Sequence, residues 1–146
     1  MNSDDKSKMI GIMKATCLHA YLATCDGDQP KVRPVSPIVE DNGLVWVTTF
    51  RSSRKIKQIT KNPKVCLAFV SQPGGDQAAF VCGEAEIVED AKLRNHVWNL
   101  AEFNLQQYFP DGPNSADYCL LKIKARKIEW RESWTSQTKV YEPAAV

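Results

Sequence analysis

The chain has 146 residues, 43% of them hydrophobic, and its 19 Lys and Arg against 17 Asp and Glu leave a formal net charge of +2. A domain of this size buries about 70% of its unfolded surface, so we expect one soluble globular domain over residues 1–146. The near balance of charge disfavours general nucleic-acid binding. The longest apolar run, Val65–Val70, is much shorter than the ~20 residues of a membrane span, and the acidic start is unlike a secretory signal. A cytoplasmic location without membrane contact is therefore expected.

The five cysteines, at positions 17, 25, 66, 82 and 119, are odd in number and include no CxxC pair. Zinc sites and disulfide frameworks use close, paired spacings. We therefore expect reduced, buried thiols and no metal site.

The first 40 residues show hydrophobic spacing and turn residues that predict four elements. These are a helix over 7–15, a strand over 19–24, a turn over 26–30 and an extended segment over 31–40. Residues 1–6 are expected to fray. Pro34 and Pro37 cannot donate to a ladder, so the extended segment should lie at a sheet edge or carry a bulge.

In the middle of the chain, turn and β-branched residues predict a hairpin turn over 41–43 and a strand over 44–50. A helix over 54–61, ended by Asn62-Pro63, and strands over 65–70 and about 78–88 are predicted next. Connections this short favour an antiparallel barrel over a doubly wound sheet.

The last third predicts the longest helix, over about 90–108, with an apolar stripe of Leu93, Val97, Leu100 and Tyr108. A loop over 110–115 and a final strand pair over 118–124 and 127–130 should follow.

The stretch from Thr48 to Lys55 carries the clearest chemical signal, because a strand ends there and a helix begins. The N–H groups of a helix start, with hydroxyls and an Arg fork, suit a phosphate monoester. A hairpin would bring Arg33 to the same place. The alternatives are a solvated helix start capped by Ser52 or Ser53, and a salt bridge from Arg33 to a nearby acid.

Other candidates are weaker, and the sequence has no GxGxxG, GxxxxGK[ST], HExxH or GxSxG motif. His19 or His96 could activate a cysteine thiolate, although both could equally be structural or surface histidines. Three tryptophans, Trp98, Trp130 and Trp134, could offer flat surfaces to an aromatic ligand or could simply pack in the core. Trp46 is expected in the core.

An ordered series of short segments resembles the pyridoxamine 5'-phosphate oxidase-like FMN-binding split-barrel family. The series is Leu22-Ala23-Thr24, Lys31-Val32-Arg33-Pro34-Val35, Val47-Thr48-Thr49, Ser53-Arg54-Lys55, Asn62-Pro63-Lys64-Val65 and Gly83-Glu84-Ala85. Later segments, Phe109-Pro110-Asp111-Gly112-Pro113, Asp117-Tyr118 and Ile128-Glu129-Trp130, resemble the family's short branch of general stress proteins.

The resemblance implies a mainly β fold with flanking helices, a six-stranded antiparallel split β-barrel, and a homodimer that holds FMN between subunits. It places one strand segment, Arg33, Pro34, Val35 and Ser36, against the flavin and its phosphate. It also implies that Thr48 and Thr49 follow the ribityl-phosphate, and that Ser53, Arg54 and Lys55 close on the phosphate. Gln77 and Trp130 are its candidates for contact with the flavin ring.

Two departures matter for the substrate. The pyridoxamine phosphate oxidases of this family carry a lysine where this chain has Ile38, and a C-terminal Arg-x-His motif, whereas this chain has no histidine after His96. The resemblance therefore implies an FMN-dependent oxidoreductase whose small-molecule substrate is not a vitamin B6 phosphate.

Three alternatives remain open from sequence. The chain could be a flavin-binding stress or redox-sensing protein without turnover, or a reductase that uses a deazaflavin. A barrel that binds single-stranded nucleic acid through the basic residues of 51–61 is disfavoured by the near-neutral charge.

Overall fold

A computed structural model describes residues 1–143 of the chain. Within this range the helices are α1 (Ser3–Thr16), α2 (Arg54–Lys61) and α3 (Ala91–Leu100), with 3-10 turns at Cys17–His19, Leu105–Gln107 and Gly112–Asn114. The strands are β1 (Ala20–Asp26), β2 (Gln29–Val35), β3 (Ile38–Val39), β4 (Val45–Phe50), β5 (Lys64–Val70), β6 (Ala78–Val88), β7 (Tyr118–Arg131) and β8 (Lys139–Tyr141). None of the helices in the described range combines the length and apolar character that a membrane crossing requires.

The strands form one antiparallel sheet curled into a half-barrel, in the order β2-β1-β5-β6-β7-β4-β3, with β8 paired to β7. In the described range six strands are long, and two short strands, β3 and β8, extend the sheet. The predicted split barrel with flanking helices is therefore confirmed. The extended segment predicted over 31–40 is divided between β2 and β3, which lie at opposite ends of the strand order. Pro34 belongs to β2, an edge strand as predicted, and Pro37 lies between the two strands.

The main core fills the concave face of the sheet, where alternate residues of each strand point inward. Leu22, Leu67 and Val81 lie there with no exposed surface, and α1 covers them with Met9 and Met13. A second cluster lies beside α3 and contains Trp46, Val97, Phe109, Tyr118 and Leu120. The prediction that Trp46 is a core residue is confirmed.

Strand β7 is one strand of 14 residues, so the predicted pair over 118–124 and 127–130 is wrong. The register passes from Cys82 opposite Lys127 to Gly83 opposite Ala125, which leaves Arg126 as the extra residue of a β-bulge. A Cβ at Gly83 would collide with the backbone of Lys124. Gly83 of β6 thus leaves room for the bulge, and β7 continues past it as one strand.

Two helix predictions need correction. Helix α1 begins at Ser3, because the Asn2 side chain accepts a hydrogen bond from the Asp5 amide at 2.8 Å and caps it, so residues 3–6 are helical. Helix α3 ends at Leu100, and Asn104 caps a separate 3-10 turn through the Gln106 amide at 3.1 Å.

The predicted apolar stripe of α3 is also wrong. Of the four stripe residues only Val97 is buried, and Leu93, Leu100 and Tyr108 are exposed. The segment 101–109 is free to fold back towards the end of β4.

Candidate functional site

A cationic pocket opens between the edge hairpin β1–β2 and the start of α2, with a cavity volume of about 370 Å³. We use the name cationic pocket for the cavity lined by Asp26, Lys31, Arg33, Arg54, Lys55 and Gln58. Four of these residues are basic and one is acidic. The predicted convergence of Arg33 with Arg54 and Lys55 is thus present in a single chain.

Arg33 is held in place by neutral groups. Its guanidinium donates to Thr24 Oγ1 at 2.7 Å, to Gln58 Oε1 at 2.9 Å and to the Leu22 carbonyl oxygen at 3.2 Å. Within residues 1–143 no carboxylate lies in ion-pair distance of it, so the salt bridge considered as an alternative is wrong. Burial lowers the pKa of Arg33, but an arginine stays protonated in a protein. The pocket therefore contains a partly desolvated charge without a counterion from the described residues.

Lys55 supplies the second cation. Its Nζ donates to Thr49 Oγ1 at 2.7 Å, which fixes the ammonium between α2 and β4. Burial, and next the positive charge of Arg33, lower the pKa of Lys55. Both effects disfavour the ammonium in the absence of a ligand. The negative charge of a bound anion would favour the ammonium and raise the pKa of Lys55 again.

The first turn of α2 adds uncapped backbone donors. Ser53 occupies the N-cap position as predicted, but its side chain makes no capping hydrogen bond and lies with Oγ 3.5 Å from Thr49 Oγ1. Arg54, the first helical residue, is exposed and lines the pocket. A helix start of this kind favours an anion through its free N–H groups and its dipole.

Arg51 lies outside this arrangement although it belongs to the same sequence stretch. Its guanidinium donates to Glu89 at 2.8 and 3.3 Å and to the Ala116 carbonyl oxygen at 3.2 Å. This ion pair removes Arg51 from the set of available cations.

A second cavity, of about 350 Å³, adjoins the cationic pocket. We call it the aromatic cleft; it is lined by Leu18, Pro34, Val35, Ser36, Thr48, Thr49, Phe50, Lys55, Phe103, Leu105, Tyr108 and Phe109. Lys55 lines both cavities. A ligand with an anionic end and a flat apolar end could thus occupy both cavities at once.

One wall of the aromatic cleft was missed by sequence reasoning. The Phe50 ring packs at 5.0 Å from that of Phe109 and at 6.4 Å, edge on, from that of Tyr108. Residues 101–109 carry this wall, and the prediction of an unbroken helix concealed it. Asn104, a helix-capping residue type, was the available signal.

Gln77 and Trp130 do not reach the cleft of their own chain. Gln77 is exposed and precedes β6, whereas Trp130 is 1% exposed and belongs to the main core. Paired residues across the sheet place Trp130 four strands from Val35, roughly 19 Å along the sheet. Contact of Gln77 with a ligand in this cleft would need a second copy of the chain, whereas Trp130 has almost no accessible surface with which to contact a ligand of either copy.

The two histidines lie apart from the cationic pocket. His96 Nε2 lies 3.1 Å from Glu40 Oε1, and the other carboxylate oxygen of Glu40 accepts from the Trp46 indole at 2.6 Å. His19 is exposed in the 3-10 turn before β1. These positions agree with the surface-histidine interpretation.

A third cavity, of about 330 Å³, lies between α1, β7 and β8. Two of its basic residues are already neutralised, because Lys124 pairs with Glu86 at 3.0 Å and Arg126 with Glu84 at 3.5 Å. The cationic pocket, whose Arg33 has no such pairing within the described residues, is the better anion site.

Comparison with known proteins agrees with this architecture. Residues 4–144 match the family model described as pyridoxamine 5'-phosphate oxidase like. General stress protein 26 of Bacillus subtilis is 26% identical over 131 residues, which cover 88% of this chain and 89% of the relative.

Two solved structures share the fold. A Clostridium acetobutylicum protein related to general stress protein 26 superposes with a TM-score of 0.79 at 17% identity, covering 97% of this chain and 96% of the other. A heme binding protein from Mycobacterium smegmatis gives a TM-score of 0.74 at 12% identity, covering 93% of this chain and 57% of the other. With the family model matched over nearly the whole length, the chain belongs to the pyridoxamine 5'-phosphate oxidase-like family.

Proposed function

We propose that this protein binds FMN and works as an FMN-dependent oxidoreductase on a small molecule. The observation that carries the proposal is that Lys55 joins a pocket of partly desolvated cations to a cleft lined by aromatic side chains. FMN has matching parts, a phosphate at one end and a flat ring at the other. Membership of the family supports the same cofactor.

The residues fit this group at both ends. Arg54, Lys55 and the free N–H groups of α2 would hold the phosphate, with Arg33 adding a third positive charge. Thr48, Thr49 and Ser53 would bind the ribityl-phosphate through their hydroxyls. Pro34, Val35 and Ser36 line the aromatic cleft and would pack beside the ring.

When bound, FMN supplies hydride and single-electron chemistry, so an oxidoreductase of this kind needs no acid-base constellation of its own. The chain's residues bind the phosphate, orient the ring and exclude water with Phe50, Tyr108 and Phe109. The exposed side of the aromatic cleft would then accept the substrate.

We further propose a homodimer, in which Gln77 of one copy approaches the ring held by the other. Gln77 is exposed and does not line the cleft of its own chain, and that cleft has an open side; both observations support this arrangement. A cytoplasmic location would suit the five free cysteines.

The visible absorption spectrum of the purified protein, with mass analysis of the released cofactor, tests the proposal. A flavin spectrum and the mass of FMN are expected. A haem spectrum, a deazaflavin mass, or tighter binding of FAD than of FMN by the apoprotein would contradict it.

Turnover needs its own measurement, because a flavin-binding protein without activity would give the same spectrum. Bleaching of the bound flavin by NADH or NADPH, followed by a screen of electron acceptors, separates the two. A protein that cycles with an acceptor is an enzyme; one that holds FMN but is reduced by neither nucleotide is a flavin-binding or redox-sensing module.

A further inference from the structure

Two of the five cysteines face each other across neighbouring strands. Cys66 on β5 pairs in register with Cys82 on β6, and the two sulfur atoms lie 3.0 Å apart, within hydrogen-bond distance. Directly opposed residues of an antiparallel pair have Cα atoms about 4.5 to 5.5 Å apart, within the range that disulfides use. The expectation of buried thiols is also wrong for this pair, because Cys82 is exposed and Cys66 is only partly buried.

The two thiols differ in accessibility. Cys82 is exposed, whereas Cys66 is half-buried. Burial, and then the hydrogen bond with Cys82, raise the pKa of Cys66 to about 12. An oxidant from solution therefore reaches Cys82 first, and Cys66 lies in position to react second.

We propose that Cys66 and Cys82 form a reversible intramolecular disulfide, a redox modification site on the outer face of the sheet. The proposal is independent of the proposed function, since neither residue lines the cationic pocket or the aromatic cleft. The oxidant is a small soluble disulfide of the glutathione class.

The chemistry is two thiol–disulfide exchanges. Cys82, as thiolate, attacks one sulfur of the small disulfide, forms a mixed disulfide with it and releases one small thiolate. Cys66 then loses its proton to solvent and attacks Cys82 Sγ, which releases the second small thiolate. The protein gives up two protons and two electrons, and the small disulfide is reduced to two thiols.

The sequence provides a convenient readout. Trypsin leaves both cysteines, and no others, on the peptide Val65–Lys92. Cleavage before Asp76 then separates them, so the halves stay joined only through a disulfide. The peptide Ala15–Lys31 is a matched control, because it also carries two cysteines, Cys17 and Cys25. The extended path of β1 from Ala20 to Cys25 alone spans roughly 16 Å, too far for a disulfide.

The experiment incubates the full-length protein with glutathione disulfide, blocks free thiols with N-ethylmaleimide and analyses both peptides by mass. We expect Val65–Lys92 to lose two hydrogens and take up no label, and Ala15–Lys31 to show no internal disulfide. Dithiothreitol should restore both labels on Val65–Lys92.

The variant Cys66→Ser identifies the order of the two steps. Without the second thiol, the mixed disulfide at Cys82 should accumulate to about ten times its level in the unmodified sequence or more. Cys66→Ala serves the same purpose if the serine variant fails to fold. Two labels on Val65–Lys92 after oxidation, equal glutathione adducts at Cys82 with and without Cys66, or disulfides only between chains would each overturn the proposal.

Discussion

Gln58 Oε1 accepts a hydrogen bond from Arg33 Nη2 at 2.9 Å, so a neutral side chain of α2 orients a cation carried by the edge strand β2. The same oxygen accepts from Thr24 Oγ1 at 2.5 Å, which ties β1 to the same point. Strand β2 has β1 as its ladder neighbour and lies at the edge of the sheet. The position of the Arg33 charge in the cationic pocket therefore depends on these two polar residues.

The first prediction concerns this orientation. Gln58→Ala should weaken FMN binding roughly five- to ten-fold, because the loss of one hydrogen bond to a charged group leaves Arg33 free to move. Gln58→Glu should weaken it more, since a carboxylate would pair with Arg33 and repel the phosphate. Titration of apoprotein by flavin fluorescence measures both. Binding of FMN by Gln58→Glu as tight as by the unmodified protein would show that the Arg33 charge is not used.

The second prediction uses the lowered pKa of Lys55. Between that value and the ordinary value for lysine, the unfolded chain binds a proton that the folded apoprotein does not, so the free energy of unfolding should rise with pH across this window. Lys55→Met removes the titrating charge and should flatten the rise, while weakening FMN binding. Urea unfolding of apoprotein at several pH values measures the effect.

Lys57→Met is the matched control for this test, because Lys57 is exposed on the same helix and lines neither cavity. It should keep both the pH dependence and the FMN affinity. A pH profile that is the same in Lys55→Met and in the unmodified protein would assign the titration to another group.

Local patterns predicted much of the fold, and tertiary contacts decided the rest. Strand β6 and helix α2 have the predicted bounds, because alternation and the 3.6-residue period are local properties. Helical spacing of apolar residues continues past Leu100, yet the chain turns away there. The rings of Tyr108 and Phe109 pack against Phe50 instead, a contact that no local pattern encodes.

Part of the site was predictable, because the end of a strand and the start of a helix can be located from sequence. The stretch from Thr48 to Lys55 indicated an anion site, and the predicted hairpin added Arg33. Thr24 and Gln58 were missed because neutral hydrogen-bonding residues carry no motif. Cys66 and Cys82 lie opposite each other only because of the register of β5 against β6. A slip of one residue would turn one of them to the opposite face of the sheet, so the sequence alone did not predict the pair.

The third prediction is the homodimer. A half-barrel with an open cleft leaves its ligand partly exposed, and an obligate interface of about 2,000 Å² or more would cover it. Light scattering at micromolar concentration should give about twice the chain mass. A monomer that still binds FMN tightly would contradict the proposed role of Gln77.

The fourth prediction concerns substrate. Pyridoxine and pyridoxamine phosphates should not be oxidised appreciably, because Ile38 replaces a lysine of the enzymes that act on them and no histidine follows His96. Ile38 is 7% exposed and packs in the second cluster, so it presents no cation to a substrate phosphate. Oxygen consumption by the FMN-loaded protein with either compound provides the measurement. Rapid uptake would show that other residues bind the substrate phosphate.

The fifth prediction tests the phosphate site through Arg54, which lines the cationic pocket from the first turn of α2. A charge-assisted hydrogen bond contributes roughly 1.5 to 3 kcal/mol, so Arg54→Ala should weaken FMN binding by about one to two orders of magnitude. The fold should be retained because the residue is exposed, and Lys61→Ala, at the other end of the same helix, should leave FMN binding unchanged. Riboflavin lacks the phosphate, so its weaker binding should be the same in Arg54→Ala and in the unmodified protein. Equal losses for riboflavin and FMN would mean that Arg54 acts on the ring or on the fold, and would contradict the phosphate assignment.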